Sequence, residues 1–154
     1  MADPYLLANM PGVFAEGVQL LTQEISKGGA ETILFAQWPE SSSSFSVSDF
    51  NEVVYRVGKS ADLRIIPAGK AWESLSNKDV NTIHPTQNGA YLSAASIYST
   101  LYNKSAASSS YVYSNNSASA DIANHAFNTI KNNEFERLKV RKFCPKVVRK
   151  PIKC

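Results

Sequence analysis

The chain has 154 residues, 44% hydrophobic and 19% charged, enough for one domain with a buried core and too apolar for a disordered polyelectrolyte. No apolar run reaches the roughly 20 residues that a membrane span needs, and "MADPYLLANMPGVF" has no basic stretch ahead of an apolar one, so no signal peptide is expected. The net charge of +3 is unevenly spread: Arg137–Cys154 carries eight basic residues and no acid, leaving the other 136 residues at −5.

The first predicted element is a helix over residues 12–28. Val13, Phe14, Val18, Leu21 and Ile25 recur at three-to-four-residue spacing, and Gly28-Gly29 ends it. "ETILFAQW" then reads as a short buried strand. The serine-rich "PESSSSFSVS" is a polar loop. Ser48 is the expected cap of a helix running to about Lys59, with Phe50, Val53, Val54 and Val57 on one face.

"DLRIIPAG" reads as a second strand, closed by proline and glycine. A short helix, "KAWESL", follows, then the loop "SNKDVNTIHPT". Thr86 caps the next predicted helix, "QNGAYLSAASIYSTLYN", whose buried face is expected to carry Tyr91, Leu92, Ile97 and Leu101. Residues 104–118 are rich in serine and asparagine and read as a loop, before a final amphipathic helix, "ASADIANHAFNTIKNN". Strands alternating with helices imply a parallel sheet covered by helices. Two strands are few for such a sheet, and "KVVRKPI" in the tail is a candidate third despite Pro151.

The chain has no GxSxG, no GxxxxGK[ST] and no GxGxxG, which removes the common nucleophile elbow and the glycine loops that cradle phosphates. Two histidines without CxxC or HExxH argue against a zinc site, and neither a metal nor another cofactor is expected. His84 is the sharpest chemical candidate. Pro85 stiffens the backbone beside it and biases it toward an extended conformation at the mouth of a helix. A histidine base needs a nucleophile on one ring nitrogen and an acceptor on the other. Asn81, three residues earlier, and Asp79, the nearest acid, are the candidate acceptors. The bland alternative is a loop histidine packed at the helix start. His125 reads as structural or exposed.

The segment "NTIHPTQNGAYLSAASIYSTLYN" resembles the C-terminal block of SGNH/GDSL-type hydrolases, in which Asp-x-x-His-Pro precedes a Gly-x-Tyr-Leu helix. "GGAETILFAQWPE" is similar to that family's strand ending in a tryptophan at the active-site rim, "RIIPAGKAWESL" to the segment before its catalytic loop, and "ADIANHAFNTI" to its closing helix. The resemblance spans residues 12–131 and implies an α/β fold: a three-layer α/β/α, flavodoxin-like sandwich on a parallel sheet, here incomplete. Residues 1–136 would be the SGNH-like C-terminal portion and 137–154 a basic, cysteine-containing tail.

The resemblance implies hydrolysis of acyl or acetyl esters, on small molecules or acylated carbohydrates. It makes His84 the base, puts Asn81 where the family has aspartate, and makes Trp38 and Trp72 substrate-binding residues. On packing grounds alone the tryptophans read as core or rim. The chain departs from the family in lacking a Gly-Asp-Ser serine block. Either a companion chain or upstream segment supplies the nucleophile, or the protein is an inactive binding or structural relative.

A third reading gives the tail an anionic partner. Phe143 is the only aromatic there, which argues against stacking on nucleic-acid bases. Cys144 and Cys154, the only cysteines, could pair with each other, pair between chains or stay free, and they leave the compartment open. Family members are often secreted or periplasmic.

Overall fold

The computed structural model describes residues 7, 9–39, 43–76, 86–111 and 116–132. The elements are α1 (Pro11–Lys27), β1 (Ile33–Phe35), α2 (Val47–Ser60), β2 (Arg64–Ile66), α3 (Ala68–Glu73), α4 (Gln87–Tyr102), a 3₁₀ turn (Ala106–Ser108) and α5 (Asn116–Asn132). The tail, its cysteines and the candidate third strand lie outside the described residues.

The two strands pair in parallel, with Ile33, Leu34 and Phe35 opposite Arg64, Ile65 and Ile66. They form the only sheet among the described residues, and the fold is mostly helical. The expected three-layer α/β/α sandwich is therefore wrong. Its sheet needs several strands to bury two helical layers, and each strand here is three residues long.

The capping chemistry explains where the helices start. Ser46, not Ser48, caps α2: its hydroxyl accepts from the Asp49 N–H at 3.1 Å while the Asp49 carboxylate accepts from the Ser46 N–H at 3.0 Å. This reciprocal pair satisfies two otherwise orphaned donors. The Ser46 hydroxyl and N–H together hold the Asp49 carboxyl below its ordinary value. Thr86 caps α4 as expected, accepting from the Gly89 N–H at 3.2 Å. α5 begins at Asn116, inside the stretch expected to be loop.

Two clusters hold the fold. Phe50, Val53, Val54 and Val57 of α2 pack with Val18 of α1 and with Ala36 and Ile65 at the strands. Gly58 permits this approach, because a Cβ there would sit 2.6 Å from Ile65 Cδ1. Ala71 and Leu75 pack with Leu92 and Ala95 of α4 and with Ile122, Ala123 and Ala126 of α5 in the second.

α4 and α5 pack on each other through Ala95 on α4 and Ala123 and Ala126 on α5, and the small residues Ser96 and Ser99 on α4 and Ser119 on α5 are buried as well. Ile97, expected in the buried face of α4, is 38% exposed instead. Small residues let the two helices pack directly on each other, which is how the chain builds a core with so little sheet.

The apolar stripe of α1 is only partly used. Val18 is buried, whereas Val13 and Leu21 are 50% and 62% exposed. Where the strands begin, Arg64 holds Glu31 through two parallel hydrogen bonds, Nε to Oε1 at 2.8 Å and Nη2 to Oε2 at 2.7 Å. Among the described residues no helix is long and apolar enough to cross a membrane.

Candidate functional site at the carboxyl ends of the strands

In sheets with parallel strands, ligands gather beyond the carboxyl ends, where the chain leaves each strand for a helix. Here β1 leaves through Ala36, Gln37 and Trp38, and β2 through Pro67 into α3. The two exits are tied by backbone: Ala36 N–H donates to the Ile66 carbonyl at 2.9 Å and Gly69 N–H to the Ala36 carbonyl at 2.6 Å. The second bond satisfies a first-turn donor of α3 that would otherwise lack an acceptor.

Gly69 is required by this crossing. A Cβ on it would run directly into the Gln37 carbonyl oxygen and approach Asn51 Nδ2 to 2.6 Å. With α3 held this close, Trp72 stacks on Trp38, ring centroids 4.7 Å apart and planes 16° from parallel. Both rings are half-buried, and Trp72 also packs on the second core cluster. The two tryptophans read from sequence as substrate-binding thus share one wall.

Beneath this rim lies Asn51, which sequence reasoning missed. It is 4% exposed, and its Oδ1 has no hydrogen-bond partner among the described residues. A buried, unsatisfied amide oxygen is costly and marks a place where a polar group is wanted. The sequence gives no signal for it, since Asn51 stands beside the charged Glu52, between Phe50 and Val53.

His84, Asn81 and Asp79 lie outside the described residues, in the segment joining α3 to α4. Their flanks are described: Ser76 on one side and the Thr86 cap on the other.

The other histidine makes a contact that resembles a catalytic pair. His125 Nε2 lies 3.2 Å from Ser74 Oγ and 2.9 Å from the Ala71 carbonyl oxygen. A carbonyl can only accept, so Nε2 carries a proton and donates it there. It therefore has no lone pair with which to deprotonate Ser74. The Ser74 hydroxyl is itself turned to the Lys70 carbonyl at 3.0 Å. His125 ties the end of α3 to α5 and is not a base, in keeping with the structural role read for it.

Among the described residues no group of three histidine, cysteine or carboxylate side chains could hold a metal. Compared with known family models, characterised proteins and solved structures, the chain matches none.

Proposed function

We propose that the protein acts as the histidine-bearing portion of an SGNH/GDSL-like serine ester hydrolase, cleaving acyl or acetyl esters of small molecules or carbohydrates. His84 takes the proton from a serine, Asn81 or Asp79 orients its ring, and the Trp38–Trp72 wall receives the acyl group or its carrier. The serine comes from a companion chain or another segment bearing a Gly-Asp-Ser motif. The observation that carries this reading is the stacked tryptophan wall beyond the carboxyl ends of two parallel strands. The reading rests on this local arrangement and not on a flavodoxin-like sheet.

The test uses protein isolated from its native source with its partners attached. Mass spectrometry should find a Gly-Asp-Ser-bearing segment, and p-nitrophenyl acetate should be hydrolysed by the wild-type assembly but not by His84→Ala. An inert assembly without such a segment would falsify the hydrolase.

A second reading, a catalytically inactive binding protein, is favoured by two observations. Asn81 stands where the family has a carboxylate, and in the one serine–histidine contact among the described residues the nitrogen beside the serine, His125 Nε2, also faces the Ala71 carbonyl, to which it donates. On this reading the basic tail, Arg137–Cys154, contacts an anionic partner, and truncation at Arg137 abolishes that binding.

A further inference from the structure

The edge of β1 that faces away from β2 is unpaired among the described residues. Ala36 N–H donates inward to the Ile66 carbonyl. Alternation along the strand then points the backbone of Leu34 toward β2 and the backbone of Ile33 and Phe35 away from it. Their outward N–H and C=O groups meet no partner among the described residues. The side chains of β1 are also less covered than those of its neighbour. Ile33, Leu34 and Phe35 are all partly exposed, whereas Ile65 and Ile66 of β2 are 3% and 6% exposed.

The sequence does not guard this edge. Residues 32–38, "TILFAQW", hold no charge and no proline, the devices that keep exposed strands from pairing with another chain. The nearest acid, Glu31, is engaged by Arg64.

We propose that β1 pairs with β1 of a second copy, antiparallel about a two-fold axis through Leu34, so that one sheet of four strands runs across a dimer. The strand is complementary to itself in this register. Ile33 stands opposite the partner's Phe35, and Phe35 opposite the partner's Ile33. Each of these pairs exchanges two backbone hydrogen bonds, which satisfies every outward group of the strand in both copies. Each also sets an aromatic ring beside a β-branched side chain, a favourable cross-strand combination. Leu34 meets the partner's Leu34 on the axis.

The neighbouring residues favour this register over others. An axis moved by one residue would set Phe35 opposite Glu31, or Ile33 opposite Gln37, and so face an apolar side chain with a polar one. Parallel pairing in register would put Glu31 beside the partner's Glu31, two like charges. The antiparallel arrangement places these carboxylates at opposite ends of the interface. A two-fold axis is also the commonest symmetry of homo-oligomers, because one patch then serves both copies. The inference goes beyond ester hydrolysis and does not rest on it.

The test follows the full chain, under reducing conditions, by sedimentation and by amide hydrogen exchange. The expected result is a monomer–dimer equilibrium with a Kd on the order of 100 μM, since a three-residue strand covers far less than the ~800 Å² per partner of a stable interface. Exchange at Ile33 and Phe35 should slow as the concentration rises. Ile33→Pro removes an outward donor from each copy, at the first position of an edge strand, where proline is tolerated. It should weaken the dimer at least tenfold with the fold intact. In a Cys144→Ser, Cys154→Ser background, Leu34→Cys should oxidise to a covalent dimer. Residues opposed without hydrogen bonds have Cα atoms ~4.5 Å apart, within the reach of a disulfide. Gln37→Cys, about 20 Å from its counterpart across the same axis, should not. A chain monomeric up to about 1 mM would overturn the proposal. So would a dimer indifferent to Ile33→Pro. Slow exchange at Ile33 and Phe35 in the monomer would overturn it too, by giving the edge to another segment of the same chain. The ester assay reads His84 and not this edge, so the two proposals fail separately.

Discussion

Trp38 and Trp72 lie on the exits of different strands and stack with centroids 4.7 Å apart and planes 16° from parallel. Two indoles held this close couple electronically, so the wild-type protein should show an exciton couplet in circular dichroism. Either Trp38→Phe or Trp72→Phe should remove it and cost about 0.5–1.5 kcal/mol of stability. In an active assembly the same variants should raise KM while leaving kcat nearly constant, as expected for a wall that binds substrate and transition state alike. A couplet that survives either substitution would contradict the stack.

The wall depends on a glycine with no space beside it. Gly69→Ala drives a methyl group into the Gln37 carbonyl, which belongs to the backbone and cannot swing away. The expected loss is about 1–3 kcal/mol, with the couplet weakened as α3 is pushed off β1. Gly58→Ala makes an informative contrast. Its methyl would meet Cδ1 and Cγ1 of the Ile65 side chain, side-chain atoms rather than backbone, and alanine favours the α2 helix by about 1 kcal/mol over glycine. Gly58→Ala should therefore be milder than Gly69→Ala in urea melts, and the reverse order would show that the α3 crossing is looser than described.

These two glycines also show where the sequence was legible and where it was not. The helices followed from local signals: the spacing of Phe50, Val53, Val54 and Val57, and the Thr86 cap before Gly89. The α2 cap was misplaced by two residues because Ser46 and Ser48 are chemically alike, and only the reciprocal bond with Asp49 distinguishes them. The architecture was misread for a non-local reason. Alternating β-rich and helical stretches imply a covered sheet, but α4 packs on α5 instead, with Ser96, Ser99 and Ser119 among their buried residues, and serines carry no periodic apolar signal. Trp38 and Trp72 were legible as candidates one at a time. Their contact depends on Gly69 meeting Gln37, a pairing that no spacing rule reveals.

The two histidines should separate cleanly in function and stability. His125→Ala removes a donor from the Ala71 carbonyl and should cost about 1–3 kcal/mol, while leaving any ester hydrolysis at its wild-type rate per folded molecule. His84→Ala should abolish hydrolysis with little change in the melting midpoint. Asn81→Asp sharpens the comparison. It restores a carboxylate where the resembling family has one, and loss of that charge costs on the order of 10⁴ in a serine-protease triad. The rate should therefore rise in Asn81→Asp if Asn81 is the group orienting His84. An unchanged rate in an active assembly would move that role to Asp79.

Tyr91 gives the fold a dependence on alkaline pH whose sign is fixed by its surroundings. Burial, and then the neighbouring Tyr111, raise its pKa above the ordinary 10.0. The unfolded chain releases this proton near that ordinary value, while the folded chain retains it. Above pH ~10 the unfolded state therefore binds fewer protons than the folded one, and stability falls as pH rises until the folded phenol also ionises. Below that window the contribution is complete and constant. Tyr91→Phe has no proton to release in either state, so its urea midpoint should fall less than that of wild type between about pH 9 and about pH 11. Equal falls would mean that the Tyr91 phenol is as well solvated in the folded chain as in the unfolded one.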